Sequence, residues 1–390
     1  MIRGVRVAGV SANLYGKPRQ DLALFVFDEG VSMAGVFTLN AFCAAPVHVA
    51  RDHLVGAPRA WLVNTKSANA GTGQLGMDDA VSCCAMAADQ LGLDVNQVLP
   101  FSTGVIGARL PMDLIEPGID AAVRALGADH WADAAAAILT TDTRPKQVTR
   151  TVTIDGETVS IEGISKGSGM IQPNMATMLG FVATDARVGE GDLQQLLVDA
   201  TNLSFNRITV DGDTSTNDAC VLAATGYGPE LSPAHSEWSA FADAVTDVMV
   251  ELAQAIVRDG EGATKFVTID VSGAQSDSDA HAIAKTVAHS PLVKTALFAS
   301  DANWGRLLAA IGRAPVDELD VSQIQLRVGD VSLLKDGAVD PSYTEADGAR
   351  VFAQTDIPIY IELGQSDGRA CVWTCDLSHD YVSINADYRS

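Results

Sequence analysis

The stretch from Lys166 to Leu179, Lys-Gly-Ser-Gly-Met-Ile-Gln-Pro-Asn-Met-Ala-Thr-Met-Leu, constrains the chain more than any other because it joins two opposite kinds of sequence at one threonine. Gly167 and Gly169 allow backbone angles closed to other residues, and Pro173 turns Gln172 away from helix, so the approach to Thr177 is a tight, irregular loop. From Met178 to Ala183 the residues are almost all apolar, which predicts a strand covered on both faces. A hydroxyl held at the mouth of a buried strand by a shaped loop is suitably placed to be a nucleophile. The alternative is a plain loop-to-strand junction whose threonine serves as a cap.

The surrounding sequence predicts a mixed α/β chain. Val148 to Ile154 and Thr158 to Ile164 alternate around Asp155-Gly156, a hairpin signal that delivers the backbone into the Lys166 loop. Leu22 to Phe27 and Val31 to Phe37 flank Asp28-Glu-Gly30 as strand, turn and strand. Helices are expected over 78–91, 119–126, 131–139, 192–203 and 238–257, the last closed by Arg258 in its final turn and by Gly260 as its cap. Strands dominate from about Phe266, with hairpins expected over 324–334 and between 357–363 and 369–375. A smaller domain is expected over 280–390, its boundary in the polar stretch 273–279.

Composition narrows the chemistry. At 390 residues the chain has room for two or three domains, and a formal net charge of -23 argues against nucleic acid or an anionic membrane as partner. No signal-peptide pattern and no uninterrupted apolar run of about 18 residues is present, so a cytoplasmic location is expected, or an organellar one with its targeting piece missing. The six cysteines lack Cys-x-x-Cys spacing and read as core residues; the seven dispersed histidines offer no metal-ligand spacing. Asp211-Gly-Asp213-Thr-Ser215 imitates a calcium loop, but Thr216 replaces the glycine and Leu222 the glutamate that such a loop requires. A phosphatase reading of the same residues has Ser215 where threonine is usual and lacks companion motifs, leaving a hydrogen-bonded loop beside the site as the expectation.

Ile171-Gln-Pro-Asn-Met-Ala-Thr-Met-Leu179 resembles the self-cleavage and nucleophile motif of the ornithine acetyltransferase family, the glutamate N-acetyltransferases of arginine biosynthesis. Further resemblances follow in order along the chain, at 4–9, 36–46, 102–107, 140–146, 211–218, 259–263, 290–295, 301–306 and 384–390. The resemblance implies cleavage between Ala176 and Thr177, giving an α chain of 1–176 and a β chain of 177–390. It implies a large catalytic domain over 1–279, of layered sheets with flanking helices shared by both chains, and a smaller α+β domain over 280–390. Thr177 would be the nucleophile, activated by its own new α-amino group, with Thr103 and Gly104 lining the oxyanion hole.

Substrate binding is carried by the same resemblance onto Thr143, Lys166, Thr177, Glu261, Asn385 and Ser390. Ser390 departs from the threonine with which the family commonly ends but keeps a hydroxyl, and the terminal segment 385–390 is expected to fold into the site. The implied cycle moves acetyl from N2-acetylornithine to glutamate, with acetyl-CoA as a possible second donor, no cofactor, and an α2β2 assembly. Two other readings stay open: a self-cleaving aminopeptidase or amidase in which water resolves the acyl-enzyme, and a non-catalytic relative in which Thr177 is structural.

Overall fold

Asp155 and Gly156 both take left-handed backbone angles, with φ of 51° and 79°, the pairing a two-residue hairpin turn requires. Strands Lys146–Ile154 and Glu157–Lys166 accordingly pair antiparallel, Ile154 opposite Glu157. The computed structural model describes residues 1–172 and 178–386, which form two compact units. The first comprises Met1–Asn206 and Thr214–Ile256; the second comprises Arg207–Asp213 and the chain from Val257 onward.

In the first unit, Glu157–Lys166 pairs with Leu179–Thr184, which runs parallel to Ala219–Ala224. The two parallel strands are buried at every residue, as the apolar run after Thr177 predicted. A second sheet joins Val5–Val10, Leu22–Phe27, Ala60–Asn64 and Val98–Ser102 in that order. The sheets share one core in which Phe25 stacks on Phe181 at 5.6 Å and Phe101 meets the same ring edge-on at 5.1 Å. Helix Gly73–Leu91 packs its small residues, Ala80, Cys83, Cys84 and Ala87, against the outer face of the second sheet. Helix Trp238–Arg258 covers the other sheet so closely that a Cβ on Gly163 would stand 2.9 Å from Leu252. The fold is thus a mixed α/β arrangement of stacked sheets flanked by helices.

Leu22–Phe27 and Ser32–Phe37 form as expected but do not pair with each other. Leu22–Phe27 already has Val5–Val10 on one edge and Ala60–Asn64 on the other, so Ser32–Phe37 crosses to the opposite sheet and pairs with Ala219–Ala224. The long helix ends at Arg258, but Gly260 does not take the left-handed conformation of a glycine cap; Gly262, two residues further on, does, with φ 69°.

The second unit is built on a sheet in which Phe266–Ala274 lies between Asp356–Glu362 and Gly368–Cys375. The hairpin Gln325–Val328 with Val331–Lys335 forms as expected. The one expected between 357–363 and 369–375 does not, because Phe266–Ala274 inserts between the two strands. The two units divide between Ile256 and Val257, and every named strand from Phe266 onward pairs within the sheet of the second unit. Four of the cysteines, Cys83, Cys84, Cys220 and Cys375, are buried and all six are free thiols.

Helix Asp277–Ala288 of this unit and its cap carry two histidines in a cationic setting. Burial, aided by Lys285, lowers the pKa of both His281 and His289 to about 4, from an ordinary value of 6.5. Both rings are therefore neutral when folded and take up protons on unfolding below pH 6.5. Their contribution is fully present above that pH and is lost as pH falls toward 4. Thermal melts between pH 7 and 4 are expected to show a smaller acid-induced fall in Tm for the double variant His281→Asn, His289→Asn than for the native chain; equal falls would contradict this.

Candidate active site

Strand Val98–Ser102 ends in the loop that carries Thr103 and Gly104. Its path is fixed from both sides. Thr103 N donates to Asn64 O at 3.0 Å and Val105 N to Lys66 O at 2.9 Å. Between these bonds Gly104 adopts φ 136°, and a Cβ there would lie 2.2 Å from the carbonyl carbon and oxygen of Lys66, so only glycine fits. Ser102 Oγ donates to Asn64 Oδ1 at 2.6 Å, while Asn217 Nδ2 donates to Ser102 O at 2.9 Å and Ala68 O at 2.5 Å. The expected loop at 211–218 thus acts as scaffold: its Asn217 clamps the Thr103 loop from beneath.

Lys166 ends strand Glu157–Lys166 opposite Leu179 and is buried. Its Nζ donates to Thr103 Oγ1 at 3.0 Å. A lysine can only donate, so the Thr103 oxygen accepts this bond and its own proton remains available to another acceptor. Gly104 N–H makes no hydrogen bond among the described residues. A hydroxyl and a backbone N–H of successive residues, next to a buried cation, are donors of the kind that stabilise a developing oxyanion.

Asp142 holds this arrangement together and was not singled out from sequence. Its carboxylate accepts from Lys146 Nζ and from Gly167 N, each at 2.7 Å, and from Thr140 N at 3.1 Å. Burial pushes its pKa up, but Lys166, Lys146 and the Gly167 N–H outweigh it and hold the group at about 2. Asp142 is therefore a fixed anion pinning the start of the glycine loop to the Thr140–Lys146 segment. Its neighbour Thr143, expected to bind substrate, is exposed. The available signal was the acidic residue inside the Thr-Asp-Thr-Arg-Pro motif, which spacing alone does not connect to Gly167.

A cavity of about 30 Å³ is lined by Thr103, Lys166, Gly167, Met178, Ser215 and Asp218. Within the second unit, buried Glu261 accepts from Asn385 Nδ2 at 2.8 Å, and the same amide donates to Tyr381 O at 2.9 Å. Tyr381 OH donates to Asp211 Oδ2 at 3.3 Å. The structure thus brings together Thr103, Gly104 and Lys166 in one unit, and Glu261 with Asn385 in the other. Ala176, Thr177 and Ser390 lie outside the described residues. Among the described residues no group of histidine, cysteine, aspartate or glutamate is arranged to hold a metal, and no helix is long and apolar enough to cross a membrane.

Stacked sheets that bring a threonine hydroxyl and a glycine N–H beside a buried lysine suit a site of the acyl-transfer class. The ArgJ family pattern matches residues 6–390. An arginine biosynthesis bifunctional protein ArgJ from Pseudomonas syringae pv. tomato is 52% identical over all of this chain and 97% of its own length, and one from Methylococcus capsulatus is 53% identical over all of this chain and 96% of its own. The crystal structure of the arginine biosynthesis bifunctional protein ArgJ from Bacillus halodurans matches with TM-score 0.51 and 41% identity, over 53% of this chain and 97% of the solved one. This chain belongs to the ArgJ family.

Proposed function

We propose that the chain is a glutamate N-acetyltransferase that matures by cutting itself between Ala176 and Thr177. The observation that carries this reading is the Lys166 to Thr103 bond beside the Gly104 N–H, which has no partner among the described residues, at the end of the strand paired with the one that follows Thr177. In maturation the Thr177 hydroxyl attacks the Ala176 carbonyl carbon and displaces the Thr177 nitrogen, giving an ester. Water hydrolyses that ester, leaving an Ala176 carboxylate and a Thr177 with free α-amino and hydroxyl groups.

The α-amino group, with an ordinary pKa near 8, then takes the hydroxyl proton as Thr177 attacks the acetyl carbonyl of N2-acetylornithine. The Thr103 hydroxyl and Gly104 N–H donate to the oxyanion, the proton passes to the departing ornithine nitrogen, and acetyl-Thr177 remains. Glutamate's amine attacks this ester through the same intermediate geometry, releasing N-acetylglutamate. Thr143, Lys166, Glu261, Asn385 and Ser390 bind substrate: the cation suits a carboxylate, and Glu261 an ammonium. The word bifunctional in the relatives' names supports acetyl-CoA as a second donor. The α and β chains remain associated, as an α2β2 assembly in the cytoplasm, because their strands share one sheet. The solved Bacillus halodurans chain, nearly all of which matches about half of this one, has the length expected of one cleavage product.

The test is to supply N2-acetylornithine with and without glutamate and follow N-acetylglutamate and free acetate. Formation of N-acetylglutamate supports the transferase. Acetate release that glutamate does not divert would assign the site to an amidase instead.

A further inference from the structure

The loop 11–20, between strands Val5–Val10 and Leu22–Phe27, is tied down by the buried carboxylate that follows it. Asp21 Oδ1 accepts from Ala12 N at 2.6 Å and Oδ2 from Leu14 N at 2.7 Å, while Asp21 O accepts from Thr65 N and Thr65 Oγ1, each at 3.0 Å. One residue therefore shapes the loop and docks it on the segment that carries Lys66. Two cations meet there at one ring. The Arg19 guanidinium stands 4.4 Å from the centre of the Tyr15 ring, and Lys66 Nζ stands 5.6 Å from it. Arg19 also donates from Nη2 to Leu139 O at 2.7 Å and from Nε to Gln20 O at 3.3 Å, so its fork is fixed while the Nη1 protons stay available.

Charge sets this place apart. The chain carries 49 acidic residues against 26 lysines and arginines, yet among the described residues neither Arg19 nor Lys66 forms an ion pair with a carboxylate. Lys17, two residues from Tyr15, is exposed on the same loop. Like charges gathered at one ring repel each other, and an anion placed among them offsets that repulsion. Lys66 is strained as well: its φ of 71° is left-handed, a conformation lysine rarely adopts.

The patch touches both loops of the candidate site. Lys66 O accepts from Val105 N, and the Lys66 carbonyl lies 2.2 Å from where a Cβ on Gly104 would stand. The residue whose ammonium faces Tyr15 thus has its backbone against the glycine of the Thr103 loop. On the other side, Leu139 precedes Thr140, whose N donates to the Asp142 carboxylate that pins Gly167. A ligand with its acyl end at Gly104 can therefore extend over Tyr15. Of the substrates proposed above, acetyl-CoA is the one whose phosphates are separated from its acyl group by a long neutral arm.

We infer that Tyr15, Arg19 and Lys66 form the phosphate-binding end of a site for a nucleotide-linked acyl thioester, acetyl-CoA, whose acyl end reaches the Gly104 loop. The inference rests on the proposed use of that donor and adds where its tail is held. Arg19 supplies a planar fork and Lys66 a point charge, the two kinds of cation that bind phosphate. Together they offset the repulsion that a chain of net charge -23 imposes on a polyanion.

The experiment follows acetyl transfer to glutamate from acetyl-CoA, from S-acetylpantetheine, which lacks phosphate, and from N2-acetylornithine. Native protein is compared with Lys66→Gln, Lys66→Arg and Arg19→Gln. Lys66→Gln and Arg19→Gln are each expected to raise KM for acetyl-CoA about tenfold with kcat nearly unchanged, and Lys66→Arg to keep the native KM. Rates with the other two donors are expected to stay at the native level, and added salt to weaken acetyl-CoA use more in native protein than in Lys66→Gln. Equal losses on all three donors would mark the side chains as structural and overturn the inference, as would a KM for acetyl-CoA that no variant moves. Arg19→Gln gives up the bond to Leu139, whereas Lys66 Nζ makes no hydrogen bond among the described residues, so Lys66→Gln decides should the other variant fail to fold. Native protein that uses N2-acetylornithine but not acetyl-CoA overturns this inference and leaves the transferase reading in place. Native protein inactive with both overturns that reading too.

Discussion

Replacing Thr177 by alanine is expected to leave a single uncut chain and to reduce acetyl transfer by at least about 10⁴-fold, the scale on which loss of a covalent nucleophile is felt. Both effects have one cause. In the proposed mechanism the hydroxyl that attacks the Ala176 carbonyl in maturation is also the one that carries acetyl in catalysis, and alanine offers neither an attacking oxygen nor a place for the acyl group. Thr177→Ser keeps the oxygen and is expected to cut and to transfer. Intact mass of the denatured proteins separates the three chains directly: fragments of 1–176 and 177–390 for native and serine forms, one 390-residue chain for alanine. An alanine variant that is cut, or that transfers acetyl at the native rate, would remove Thr177 from both roles.

Thr103→Val is expected to lower kcat by about 10²- to 10³-fold with little change in KM, because an oxyanion donor acts on charge that develops only in the transition state. The substitution nearly preserves shape and leaves the Thr103 N to Asn64 O bond and the Gly104 backbone untouched. What it removes is the acceptor for Lys166 Nζ and, in the proposed mechanism, one donor to the reacting oxygen. Because the proposed cut would pass through its own tetrahedral intermediate, maturation should slow as well, so the rate must be measured on the cut fraction. An unchanged kcat would show that the hydroxyl only anchors Lys166.

The local elements were largely legible. Asp155-Gly156 demanded a tight hairpin and formed one, and the apolar run after Thr177 became a strand buried at every position. Apart from the missing Gly260 cap, the errors were of pairing. Leu22–Phe27 and Ser32–Phe37 carry an ordinary hairpin signal, but Val5–Val10 and Ala60–Asn64 occupy both edges of the first strand. Phe266–Ala274 separates two strands that sequence alone would join. Alternation of apolar residues reports which face of a strand is buried and is silent about which edge is taken.

The candidate site divides in the same way. The glycine at 104, the lysine at 166 and the threonine at 103 could be named from motifs, since each motif carries its own local chemistry. Asp142 could not be given work, because its meaning is set by groups distant in the chain, Lys166 and Gly167. The sequence by itself determined the elements, the loop shapes and the family, because turn chemistry, periodicity and motif are properties of neighbouring residues. Only the tertiary structure decided the strand partners, the anchoring of Lys166 on Thr103 and the ionisation of the buried Asp142. Those depend on desolvation and on charges brought within a few ångströms by folding.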